Sequence, residues 1–187
     1  MNIPWGDEKT HQFVTTVGLI TSDGPWGPDI MACEWTHQIS YSPALFAIHL
    51  NPKDATHENI LATKEFGISM CAREHSIISS ISGQNSGKKI NKMQALQELG
   101  FQFVPATQVA VSLVEGAVFT AECKLVEYRA FGDHTMFVGE VLTASVDLTK
   151  EPLLYHRGRY WQRGEQISKP PAEELERIQG IIEKAKR

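Results

Sequence analysis

The 187-residue chain has few cysteines and none in a pattern that would staple or metallate it: Cys33, Cys71 and Cys123 are an odd number without a C-x-x-C pair. All three lie in apolar, strand-like surroundings, so they read as buried free thiols and not as a disulfide framework. Seven histidines include no H-E-x-x-H or comparable spacing, so no metal site is expected. No G-x-G-x-x-G follows a strand, which leaves no encoded Rossmann site for a dinucleotide. G-x-x-x-x-G-K-[ST] and G-x-S-x-G are absent too, which removes a P-loop and the elbow of a Ser-His-Asp hydrolase. Positive charge is not in excess: 18 Lys and Arg against 22 Asp and Glu leave a formal net charge of -4. The whole chain therefore offers no electrostatic reason to bind nucleic acid or an anionic membrane. No apolar run approaches the roughly 20 residues of a membrane span. The opening MNIPWGDEKT lacks the basic and apolar regions of a signal peptide, and a cytoplasmic location is expected. Internal repeats and low-complexity tracts are missing as well.

What is present is globular in balance, with 42% hydrophobic and 21% charged residues. The length suits one domain over residues 1–166, followed by a linker and terminal helix over 167–187. FVTTVGLIT (13–21) is rich in β-branched and aromatic residues and reads as a strand, stopped by Ser22-Asp23-Gly24-Pro25. IMACEWTHQIS (30–40) returns as a second, antiparallel strand, and ALFAIHL (44–50) follows Ser42-Pro43 as a third. Asp54 is placed to cap a helix running to Lys64 with Ile60 and Leu61 inward, before the short apolar strand FGISMCA (66–72). From Arg73 to Leu99 the pattern is helical but broken, with Ile77, Ile78 and Ile81 on one face and a loop opened by Gly83 and Gly87. VFTAECKLVEYRA and TMFVGEVLTASVD flank Phe131-Gly132-Asp133-His134 as a hairpin. The final helix carries Leu175, Ile178, Ile181 and Ile182 as an apolar stripe for its own domain or for a second subunit. Several strands with two helical insertions, and no regular strand–helix alternation, predict a mainly β, antiparallel barrel.

Five polar or Gly-rich segments border these strands: DIMACEWT (29–36), NPKDATHENI (51–60), SGQNSGKKINKM (82–93), FGDHTMFVGEV (131–141) and PLLYHRGRY (152–160). Asn51, Lys53, Thr56 and His57 stand where a strand gives way to a helix. Free N–H groups, a hydroxyl and an ammonium there could cradle a phosphate monoester, or could be an ordinary helix cap with a solvated lysine. Ser82, Gly83, Gln84, Lys88 and Lys92 offer glycines that turn amides toward a ligand, together with hydroxyl and ammonium donors. The same residues also suit a flexible surface loop.

In their order and spacing these segments resemble the flavin-reductase-like family, over about residues 13–160. The resemblance implies an antiparallel FMN-binding split β-barrel, a homodimer with flavin near the subunit interface, and FMN as cofactor with NADH or NADPH as hydride donor. It implies hydride transfer from NAD(P)H to FMN and on to free flavin, ferric iron or a redox protein partner. A flavoredoxin-like electron carrier and an FMN-binding protein without turnover are the alternatives. Met31, Ala32, Cys33, Glu34 and Trp35 match the segment that lies against the isoalloxazine ring, with small side chains allowing close approach. Lys53, Thr56 and Lys92 are implied to converge on the phosphate, so FMN should bind well above riboflavin, whereas Lys89 is solvated. Family members carry D-K-F where this chain has Asn91-Lys92-Met93. His134 and His156, the latter with Tyr160, match positions near the flavin's reactive face or the nicotinamide.

Overall fold

The computed structural model describes residues 1–185. Twelve strands run in chain order: β1 (Thr15–Thr16), β2 (Gly18–Ser22), β3 (Asp29–Cys33), β4 (Thr36–Tyr41), β5 (Ala44–Leu50), β6 (Glu65–Met70), β7 (Phe103–Pro105), β8 (Ser112–Val114), β9 (Phe119–Phe131), β10 (His134–Val146), β11 (Leu154–His156) and β12 (Arg159–Trp161). The helices are α1 (Ala55–Thr63), α2 (Ser76–Gln84), α3 (Lys92–Glu98) and α4 (Ala172–Lys184). Seven strands form one antiparallel sheet in the order β3-β2-β6-β9-β10-β5-β4. Its outer strands, β3 and β4, are consecutive in the chain and separated only by Glu34 and Trp35. Two residues reach only about 7 Å. The two edges of the sheet must therefore come together, and the sheet rolls into a barrel that stays open between β3 and β4.

Contacts across that opening are close. Thr36 Oγ1 donates to Cys33 O at 3.0 Å, and a Cβ added to Gly18 would lie 2.4 Å from Thr36 Oγ1. The expected single strand over residues 30–40 is thus two strands on opposite edges, and the expected strand over 13–21 is broken at Val17 between β1 and β2. The two breaks differ in cause: the first marks a change of edge within one sheet, whereas the second marks a change of sheet, since β1 pairs with β11 outside the seven-stranded sheet that β2 joins.

The core has two compartments. Ile20, Cys33, Ile48, Leu50, Ile60, Phe66, Ile68, Cys123 and Phe137 fill the barrel. Leu19, Ile30, Cys71, Ile78, Met93, Leu96 and Val114 pack between the outer face of the sheet and the helical layer of α2 and α3. Consecutive β2 residues Leu19 and Ile20 enter opposite compartments, as strand alternation requires. All three cysteines are free and buried, as expected.

The helix after β5 begins at the expected Asp54, but the Asp54 side chain makes no capping hydrogen bond; Ile60 is fully buried and Leu61 half-buried. In α2, Ile78 is buried and Ile81 half-buried, while Ile77 is exposed. The β9–β10 hairpin forms with two register shifts. No side chain of α4 is buried, and Leu175, Ile181 and Ile182 are exposed. The last two residues of the expected terminal helix lie outside the described residues. Among the described residues, no helix is long and apolar enough to cross a membrane.

Candidate functional site

Three elements meet around a cavity of about 360 Å³: the end of β3, the last turn of α2 and the β11–β12 hairpin. A volume of that size suits a small-molecule site. Ala32 and Glu34 come from the β3 end, Ser79, Ser80, Gly83 and Gln84 from α2, and Tyr155, Gly158 and Tyr160 from the hairpin, with Val17 and Trp5 at the margins. The wall between strand and helix is thin because the side chains are small. A Cβ on Gly83 would lie 3.3 Å from the Ala32 Cβ, so the backbones approach closely. From the hairpin, the Tyr155 and Tyr160 rings lie 5.7 Å apart at 56°. The Tyr160 hydroxyl donates to Ser79 Oγ at 3.0 Å and lies 3.0 Å from Ser80 Oγ, which ties the hairpin to the helix.

Glu34 is the acid of this cavity. Thr15 Oγ1 donates to its carboxylate at 3.3 Å, and burial pushes its carboxyl above the usual range, with the Thr15 bond opposing. Burial raises the Tyr155 phenol, and the nearby Glu34 charge adds to it. The site therefore favours neutral groups over anions.

Five of the residues singled out in the sequence, Ala32, Glu34, Gly83, Gln84 and Tyr160, meet here. The others go elsewhere. Gly83 does not open a loop: α2 continues through Gln84, and neither Gly83 nor Gly87 adopts positive φ. Thr56 and Lys92 do converge, but on Asp29. Thr56 Oγ1 donates to Asp29 Oδ2 at 2.8 Å, and Lys92 Nζ lies 3.1 Å from Asp29 Oδ1. Ser82 is buried beside them, its carbonyl 3.5 Å from Lys92 Nζ and its hydroxyl without a partner among the described residues. Lys88 pairs with Glu58 and sits 5.1 Å over the Trp26 ring, whose Nε1 donates to Glu58 at 2.6 Å. His57 belongs to the core: its Nε2 bonds Thr135 Oγ1 at 2.9 Å, its ring meets Phe137 edge-on, and burial lowers its basicity. Asn51 Oδ1 accepts from Lys53 N at 3.0 Å in an exposed turn. A convergent phosphate cradle of Lys53, Thr56, His57, Lys88 and Lys92 is thus not what these side chains form. The buried Asp29, the half-exposed Glu58 and the core compete for the same donors, and spacing cannot reveal those rivals.

The ring-contacting segment divides as well. Met31 packs on the barrel core, and the Cys33 thiol donates to the carbonyls of Trp35 and His49, with burial pushing it up. Half-exposed Trp35 stacks obliquely on His134, with centroids 4.9 Å apart, while His134 Nδ1 lies 2.8 Å from Asp133. His156 follows Tyr155 on β11 with its ring 6.1 Å from that of Trp161. Neither His134 nor His156 lines the cavity.

Sequence reasoning missed Ser79, Ser80, Tyr155 and Asp29. The signal for the serines is helical spacing: Ser79, Ser80, Gly83 and Gln84 share one face once the helix runs past Gly83. Asp29 carries no such signal, because its partners arrive from 27 and 63 positions away.

The model of the flavin reductase like domain matches residues 10–163 of this chain. An uncharacterized protein of Pyrococcus abyssi is 32% identical over 114 residues, which are 61% of this chain and 63% of that protein. The chain therefore matches less than two thirds of that relative's length. An NADH-dependent FAD reductase of Streptomyces globisporus is 26% identical over 149 residues, 79% of each chain. Among solved structures, an FMN-binding protein from Thermus thermophilus with bound 1-cyclohex-2-enone superposes with a TM-score of 0.75 at 25% identity. That match covers 86% of this chain and 92% of that one.

Proposed function

The chain belongs to the flavin reductase like domain family, and from that premise we propose that it is a flavin reductase oxidising NADH or NADPH at the cavity between β3, α2 and the β11–β12 hairpin. One observation carries the proposal: five residues chosen from the sequence for flavin contact line a single cavity. Its lining suits a flat heteroaromatic ring, combining small Ala32 and Gly83 with the aromatic Tyr155 and Tyr160. The bound flavin, FMN or a close relative, would supply the redox chemistry by accepting hydride from the nicotinamide.

The chain's own residues bind, orient and exclude water. Small Ala32 and Gly83 would leave room for close approach of the ring, and the tyrosines would help to exclude water from it. Ser79, Ser80 and Gln84 offer hydrogen bonds to its polar edge. Glu34, whose carboxyl is raised by burial, holds a proton more readily than an exposed acid and can donate it in a hydrogen bond.

The molecule acts as a homodimer in this reading. Support comes from exposed apolar side chains at the hairpin tip, Val126, Tyr128 and Phe131, and on α4. Three free cysteines fit a reducing compartment, the cytoplasm. The deciding experiment is the absorbance spectrum of the purified protein given flavin, before and after anaerobic NADH or NADPH. Bleaching of the flavin band, and steady NAD(P)H oxidation that rises with added free flavin, are expected. Bound flavin that neither donor reduces would overturn the assignment as a reductase.

A further inference from the structure

We infer that Asp29 is an internal stand-in for the flavin phosphate and sets the flavin selectivity of this chain: the site recognises the ring and gains nothing from the phosphate. The inference rests on the flavin reading above and deepens it. Asp29 and Lys92 side chains are each only 3% exposed, and Thr56 is fully buried. Both carboxylate oxygens of Asp29 are engaged, one by the ammonium and one by the hydroxyl. The chain is built around this carboxylate. A Cβ on Gly87 would lie 2.3 Å from Asp29 Oδ1, so the segment joining α2 to α3 closes directly on it, and only glycine fits there.

A phosphate brought to Lys92 and Thr56 would have to displace a buried, doubly bonded carboxylate. It would then lie beside that carboxylate and near Asp54, a second acid whose charge couples to both Lys92 and Asp29. Breaking a buried ion pair leaves an uncompensated charge, so the exchange is unfavourable. Lys88 is held by Glu58 and Trp26. Lys53 is exposed, and an exposed charge adds little to affinity. The cations that spacing assigns to the phosphate are therefore either already neutralised or solvated.

The test compares riboflavin and FMN dissociation constants, by fluorescence titration, for the full chain and for Asp29→Asn. In the natural chain the two constants should agree within about threefold, since a lost charged bond would separate them by about one to two decades. Asp29→Asn frees Lys92 and Thr56, and should tighten FMN by about tenfold or more while leaving riboflavin unchanged. Adding Lys92→Met to that variant should abolish the gain. Riboflavin binding reports that each variant retains its folded site. A natural chain that binds FMN at least about tenfold tighter than riboflavin would overturn the inference and leave the flavin site standing, and this ratio needs no variant to fold. Intact riboflavin binding without an FMN gain in Asp29→Asn would overturn it as well. A chain that binds neither flavin overturns the functional reading and this inference together.

Discussion

At the scale of the residue, Glu34 shows how one buried carboxyl couples stability to the site. Burial raises its folded value above that of the unfolded chain. The folded state therefore holds the proton over a window in which the unfolded state has lost it. Stability from this group is full below the unfolded value of about 4.3 and is lost as pH rises through the folded value. Glu34→Gln removes this dependence and keeps an oxygen for Thr15. Thermal melts between pH 4 and 8 should show the variant at least as stable as the natural chain at pH 8, with a gain of roughly 1–3 °C, and no gain at pH 4. A variant less stable at pH 8 would contradict the raised carboxyl.

At the scale of the element, two close fits hold the barrel and one loop. Gly18 on β2 faces Thr36 on β4 across the open seam, where any added Cβ would meet the hydroxyl at 2.4 Å. Gly18→Ala must push the seam apart, at a cost of about 1–3 kcal/mol as for other overpacked sites. Urea unfolding measures it, and an unchanged midpoint would mean that the seam yields freely. Glu122 on β9 does the opposite work: it draws a loop in. Its carboxylate accepts from Thr107 N at 2.9 Å, from Thr107 Oγ1 at 3.1 Å and from Gln108 N. Burial alone would raise this carboxyl, but the backbone donors outweigh it and hold it below the usual range. Stability from Glu122 is therefore present above the unfolded value and lost as pH falls through the folded one. Glu122→Gln turns an amide NH₂ toward N–H donors and should cost about 1.5–3 kcal/mol. Urea unfolding at pH 7 and pH 4 checks this, the difference between variant and natural chain shrinking at the lower pH.

At the scale of the whole molecule, the surface left apolar is too specific in its placement to be scatter. The hairpin tip and the stripe of α4 are both exposed, and no α4 side chain is buried against the barrel. Sedimentation equilibrium should give about twice the 20.9 kDa chain mass, a cyclic dimer being the commonest assembly. A chain ending at residue 166 should keep the barrel folded by circular dichroism, since α4 contributes no buried side chain. If that shortened chain remains as tightly dimeric as the full one, α4 has no part in the interface.

The antiparallel β class, the hairpin partnership of β9 and β10 and the buried thiols were all determined by the sequence, because alternation and turn chemistry act between neighbours in the chain. About half of the candidate site was reached by another route, the resemblance of short segments to the flavin-reductase-like family. Small residues at Ala32 and Gly83, and the aromatic Tyr160, belong to short segments whose character is visible without their partners. Tertiary structure alone decided where Thr56 and Lys92 point. Both are donors that suit a phosphate, and which acceptor they meet depends on Asp29, carried to them by a strand 27 positions before one and 63 before the other. Closure of the barrel at Glu34 and Trp35 was likewise invisible, since a strand that changes edges keeps its apolar pattern and only the sheet order records the switch. Periodicity fixes which way a side chain faces, while the competition among buried acids for a few cations is settled only when distant segments pack.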